Sequence, residues 1–91
     1  MAGKICWVSG RVQGVYFRGA AAARASELGV SGYDRYLSDG RVEVLACGEK
    51  AAVQAFIEWL WIGSSASKVT AVEVADAGAD SDQPPGGFVT G

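Results

Sequence analysis

Three features of the 91-residue sequence predict an α+β domain with the element order βαββαβ. Strand-length runs in which apolar residues alternate occur four times. Two longer runs carry apolar side chains at helical spacing. An Asp39-Gly40 pair separates the second strand run from the third. A repeat of two marks strands and a repeat of 3.6 marks helices, while Asp-Gly between strands marks a hairpin. The order is the split-βαβ or ferredoxin-like arrangement, an antiparallel four-stranded sheet with two helices on one face. Domains of this shape serve unrelated activities, so the fold alone does not choose a function.

Lys4 to Ser9 reads as the first strand, with Cys6 and Val8 on one face and Ile5 and Trp7 on the other. Apolar residues on the second face imply that it is not fully solvated. Residues 10–17 form a glycine-containing loop. A helix is expected from about Arg18 to Leu28, where Ala21, Ala25 and Leu28 make a narrow stripe of small side chains. Gly29 stands where a helix stops. Residues 31–37 form the second strand, Ser38-Asp39-Gly40 the turn, and Arg41 to Cys47 the third strand. The second helix runs from about Lys50 to Ile62 on a stripe of Val53, Phe56, Ile57 and Leu60, and Gly63 ends it. Trp59 is expected to pack partly at this helix's edge. Lys68 to Ala75 is the fourth strand, with Val69, Ala71 and Glu73 facing away from Thr70, Val72 and Val74.

One domain is expected to span residues 1–91, with an irregular segment from 76 to 91 that is rich in Gly, Asp and Pro. Whether Phe88-Val89 adds a short final strand is left open. The chain is 49% hydrophobic and 20% charged, which is the balance of a globular protein, and its net charge is −2. No basic field exists to draw in nucleic acid, and no apolar run approaches the roughly 18 residues of a membrane span. The Met-Ala-Gly-Lys start has no signal-peptide character, so a cytoplasmic protein is expected. The sequence has two cysteines and no histidine. Cys–His and Ser–His catalysis are thereby excluded, and neither a metal site nor any cofactor is predicted. Alternation puts Cys6 and Cys47 on opposite faces of the sheet, so two free thiols are expected.

The chemistry concentrates in Gly10-Arg11-Val12-Gln13-Gly14-Val15-Tyr16-Phe17-Arg18. A glycine loop between a strand and a helix start turns backbone N–H groups inward and makes an anion cradle, helped by the positive end of the helix dipole. Arg18 sits at the junction, where its planar fork suits a phosphate or a carboxylate. The pattern is neither the Walker loop, which needs Gly-Lys-Ser/Thr, nor GxGxxG, because the glycines fall at 10, 14 and 19. On spacing alone, a tight strand-to-helix turn with a solvated arginine is the preferred reading.

GRVQGVYFR resembles the signature loop of the acylphosphatases, small enzymes that hydrolyse the carboxyl–phosphate bond of acyl phosphates. Leu28 to Tyr33, Asp39 to Val44 and Gly48 match a second block of that family, and Trp59-Leu60 with Gly63 to Ser65 and Val69 a third. The similarity runs unbroken from residue 4 to residue 74. It implies that the backbone of Gln13, Gly14, Val15, Tyr16 and Phe17, together with Arg18, holds the phosphate. An asparagine in the next strand would then position a water for in-line attack on phosphorus. It further implies a small-molecule acyl phosphate or inorganic phosphate as ligand and no metal; a monomer is expected.

The family's asparagine follows Gly-aromatic-x-x, and in Gly32-Tyr33-Asp34-Arg35-Tyr36 that place falls on Tyr36. The chain contains no asparagine at all. Tyrosine offers one rotatable hydroxyl at the end of a rigid ring in place of an amide on a short arm. Losing a positioned catalytic group costs on the order of 10²–10⁴ in rate. Three readings follow: a modified enzyme that uses Tyr36 or Ser38, an anion-binding or protein-interaction module without turnover, and a strand tyrosine of no chemical consequence. Asp34 stands where the family has a small or apolar residue. Arg11 is read as a solvated loop residue in preference to a second phosphate ligand, in a place from which it could steer an anion inward. An RNA platform is disfavoured because Arg41 to Cys47 lacks stacking aromatics, and a metal chaperone because the loop has no cysteine.

Overall fold

The elements run β1 (Ala2–Arg11), α1 (Phe17–Leu28), β2 (Ser31–Tyr36), β3 (Val42–Gly48), α2 (Lys50–Ile62), β4 (Lys68–Asp76) and β5 (Phe88–Thr90). The computed structural model describes residues 2–12, 17–64, 67–77 and 88–90. Strands lie in the order β4-β1-β3-β2-β5, antiparallel throughout except that β5 joins β2 in parallel. The expected βαββαβ sandwich with its four antiparallel strands is present, extended by one edge strand.

Register explains which side chains meet. Cys6 pairs with Val44 and Val8 with Val42, and both pairs face the helices. These four residues and Ala46 are fully buried, as are Ala21 and Ala25 of α1 and Phe56 and Leu60 of α2. The small residues of α1 let its backbone approach the sheet closely, as their spacing predicts. Phe56 stacks on Trp59 at 6.2 Å and meets Phe88 edge-on at 5.6 Å. Trp59 is thus partly packed, as expected of its place at the helix edge.

Each helix ends as its glycine predicts. Gly29 takes φ +73 while its N–H donates to Ser26 and that of Val30 to Ala25, the paired bonds of a Schellman stop. Gly63 takes φ +68 and donates to the Trp59 carbonyl. Cys6 and Cys47 are free thiols, both buried, on opposite faces of the sheet. Burial pushes the Cys6 thiol up to about 11 against the pull of Lys4, which leaves it protonated and unreactive.

Three expectations need correcting. Gly10 and Arg11 are still strand, paired with Val69 and Lys68, so the loop before α1 is shorter than predicted. The register shifts between Ser9 and Gly10, and that bulge returns Val69 to the helix side, where it packs on the core with Val72. The tail is not irregular throughout. Asp76 closes β4 beside Lys4, and Phe88–Thr90 pairs with Gly32, Tyr33 and Asp34. Docking of the Phe88 ring on Phe56 gives this short strand an anchor beside the edge of β2. Residues 78–87, where the rest of the predicted loop falls, lie outside the described residues.

The face away from the helices is bound by a polar cluster that the sequence did not announce. Glu43 is 8% exposed. It accepts hydrogen bonds from Trp7 Nε1 at 3.3 Å, Tyr33 hydroxyl at 3.0 Å and Arg35 Nε at 2.8 Å. Burial alone would raise its pKa, but these bonds and the Arg35 charge outweigh burial and hold it below the ordinary 4.5.

Candidate active site

β1 ends, α1 begins and the β2–β3 turn closes at one end of the sheet, because β3 runs antiparallel to both β1 and β2. Gly10 makes this junction possible. At φ +124, a Cβ there would lie 2.2 Å from the Lys68 carbonyl oxygen, so only glycine lets β4 press so close at the bulge. Beyond the bulge, the Val12 N–H bonds the Gly10 carbonyl at 3.1 Å and the Val12 side chain is buried. At the far side of the loop Phe17 plugs the start of α1 into the core. It lies 6.0 Å from the Trp59 ring and directly against Gly63, where a Cβ would come 2.9 Å from the phenyl edge. Both ends of the loop are thereby fixed by packing.

Arg18, in the first turn of α1, lays its guanidinium 4.1 Å from the centroid of the Tyr36 ring. The Tyr36 hydroxyl donates to the Val12 carbonyl at 3.3 Å. Tyr36 thus ties Val12, the residue just past the end of β1, to the first helical turn after the loop. Arg18 and Tyr36, the site pair expected from the sequence, are in contact. Phe17 is placed as well, its side chain in the core and its backbone at the helix start, among the N–H groups that the helix itself does not satisfy. Gln13, Gly14, Val15 and Tyr16 lie outside the described residues. Asp34 is fully buried on the same face of β2, two residues before Tyr36.

A cavity of about 520 Å³, not foreseen in the sequence, opens at the same end of the sheet. Ser9, Gly10, Arg11 and Val12 line one side and the Asp39–Gly40–Arg41 turn the other. Asp39 accepts from the Arg41 backbone N–H at 3.0 Å and from Arg41 Nε at 2.8 Å. Those bonds, the backbone one first, hold the Asp39 carboxyl below its ordinary range and keep it ionised. Arg11, Arg18, Arg41 and Lys68 all belong to this end of the sheet, four of the eight cationic residues of an acidic chain. The available signal was topological: β1's end and the β2–β3 turn must be neighbours in this fold.

No helix among the described residues is long and apolar enough to cross a membrane. A family model described as acylphosphatase matches residues 4–90. An acylphosphatase from Chromohalobacter salexigens is 55% identical over 85 residues, 93% of this chain and 91% of the relative. Among solved structures, an acylphosphatase from Coxiella burnetii superposes with a TM-score of 0.90 at 33% identity, covering 99% of this chain and 92% of that one. An acylphosphatase from Bacillus subtilis gives 0.88 at 35% identity, covering 100% and 99%. Fold, signature loop and relatives agree over nearly the whole length, and the chain belongs to the acylphosphatase family, enzymes that hydrolyse acyl phosphates.

Proposed function

We propose that this chain hydrolyses the carboxyl–phosphate bond of small acyl phosphates by in-line attack of water, and that Tyr36, in the place of the family's asparagine, makes it a slow member. The observation that carries this reading is the Arg18–Tyr36–Val12 chain of contacts at the loop's two ends. Arg18 and the loop N–H groups of residues 13–17 take the phosphoryl oxygens. Their charge and geometry stabilise the transferring group, which needs positioning more than covalent help. Water adds to phosphorus opposite the acyl oxygen, the P–O bond to the acyl group breaks, and a carboxylate leaves with the electron pair. The products are that carboxylate, inorganic phosphate and the proton shed by the water. No metal or other cofactor has a role in this scheme.

Tyr36 fits the water-holding task poorly. Its single hydroxyl proton goes to Val12, so towards water it offers only oxygen lone pairs, and its ring face is covered by Arg18. The asparagine amide has both an acceptor and two donors. The Tyr36→Asn variant is therefore expected to raise kcat at least tenfold in a phosphate-release assay with benzoyl phosphate. Unchanged turnover in a folded variant would remove Tyr36 from the account. Phosphate binding without turnover, in wild type and Tyr36→Asn alike, would favour a binding module in place of an enzyme. The same proposal takes the protein as a cytoplasmic monomer acting on a free small molecule, since a net charge of −2 gives no attraction to nucleic acid.

A further inference from the structure

The cavity between the end of β1 and the β2–β3 turn is lined by two arginines and one aspartate, Arg11, Arg41 and Asp39. Asp39 is already bonded to Arg41 through both of its oxygens, which leaves a net charge of about +1 facing the space. The Arg41 Nε–H is used on Asp39, and its two terminal nitrogens carry four further N–H donors. Arg11 is exposed and makes no ion pair among the described residues. About 520 Å³ is the size of a small-ligand site, well above what a phosphate group alone requires. Val12 belongs both to this cavity and, through its carbonyl, to the Tyr36 contact. Val12 thus links the cavity wall to the Arg18–Tyr36 pair.

We infer that the cavity is an acyl-group subsite in which Arg11 and Arg41 select acyl phosphates carrying one further negative charge, a carboxylate or phosphate, on the acyl portion. The inference rests on the reading of the loop and Arg18 as a phosphoryl site. A single extra anionic group matches the single net positive charge, and a guanidinium recognises it in plane with paired N–H donors. Asp39 has a supporting part. By holding Arg41 Nε and the Arg41 N–H it fixes the guanidinium at the rim and keeps the β2–β3 turn in place. Neutral acyl groups would gain only apolar and water-mediated contacts there.

Non-hydrolysable mimics separate this subsite from catalysis. Benzoylphosphonate and 4-carboxybenzoylphosphonate, differing by one carboxylate, are titrated calorimetrically into wild type and into Arg11→Gln, Arg41→Gln and Lys68→Gln variants. Wild type should bind the carboxylated mimic at least tenfold more tightly. That preference should fall to about twofold or less in Arg11→Gln with Arg41→Gln combined, and persist in Lys68→Gln, whose charge lies at the same sheet end but off the cavity wall. Equal binding of the two mimics by wild type would overturn the subsite and leave the phosphoryl site standing. An equal loss of preference in Lys68→Gln would also overturn it, by showing a diffuse field at work. If neither mimic binds, the phosphoryl reading fails and the subsite with it. Circular dichroism of the double variant guards against misfolding, and the single variants, each expected to lose part of the preference, give the answer if the double does not fold.

Discussion

Arg18 and Tyr36 share one contact, which joins the two ends of the loop and involves the residue proposed to hold phosphate. A guanidinium over an aromatic face contributes on the order of 0.5–2 kcal/mol, and the Tyr36–Val12 hydrogen bond about 1 kcal/mol. Tyr36→Phe keeps the ring and loses the hydroxyl, so urea unfolding should show a loss of about 1 kcal/mol with the Arg18 contact intact. Tyr36→Asn removes both interactions. Tyr36→Asn should accordingly be the less stable of the two, and denaturant midpoints on the pair will show whether it is. That an arginine stood where a loop meets a helix was legible in the sequence. Its stacking on Tyr36 was not, because contact across the sheet end depends on how β2 and α1 are packed.

Among the elements, the two helix stops offer a controlled comparison. Gly29 has φ +73 with nothing within 4 Å of a built Cβ, whereas Gly63 has φ +68 with Ser67 Oγ at 2.3 Å and the Phe17 ring at 2.9 Å. Gly29→Ala meets only the backbone cost of the left-handed region, about 1 kcal/mol. Gly63→Ala adds displacement of the residue that seats α1, and should cost about 1–3 kcal/mol more. Equal losses for the two would show that Phe17 is not held by that contact. Both glycines were readable as stops, but which one carried packing was visible only in the fold. The Glu43 cluster was likewise hidden, since Trp7, Tyr33, Arg35 and Glu43 come from three strands and meet only through register. Its pH behaviour follows from the direction of the Glu43 shift. A carboxyl held below 4.5 when folded contributes stability that is fully present above that value and is lost as pH falls through the folded one. Wild type should therefore lose more stability between pH 6 and pH 3 than Glu43→Gln, as read from urea midpoints. Parallel decline of the two would mean that the cluster does not bias the ionisation.

For the molecule as a whole, topology was the part most legible in advance. Alternation in β1 and β3, the Val53–Phe56–Leu60 stripe and the Asp39-Gly40 turn each had one structural reading, and their order admitted one sheet. Strand β5 was harder, because three residues after a glycine- and proline-rich segment carry no periodicity and depend on Phe88 finding Phe56. The charge distribution was harder still: composition gives a net −2, while the fold gathers four cations at the end where the loop opens. A phosphate-binding site there predicts a stability gain on ligation. Inorganic phosphate at a hundred times its dissociation constant should add about 2.7 kcal/mol, and Arg18→Ala should remove most of it in a thermal melt. The central claim is catalytic, and hydrolysis of benzoyl phosphate by wild type and Arg18→Ala tests it most directly. The account predicts measurable turnover in wild type and a fall of about 10²–10³ in Arg18→Ala. Turnover that survives Arg18→Ala undiminished would contradict it.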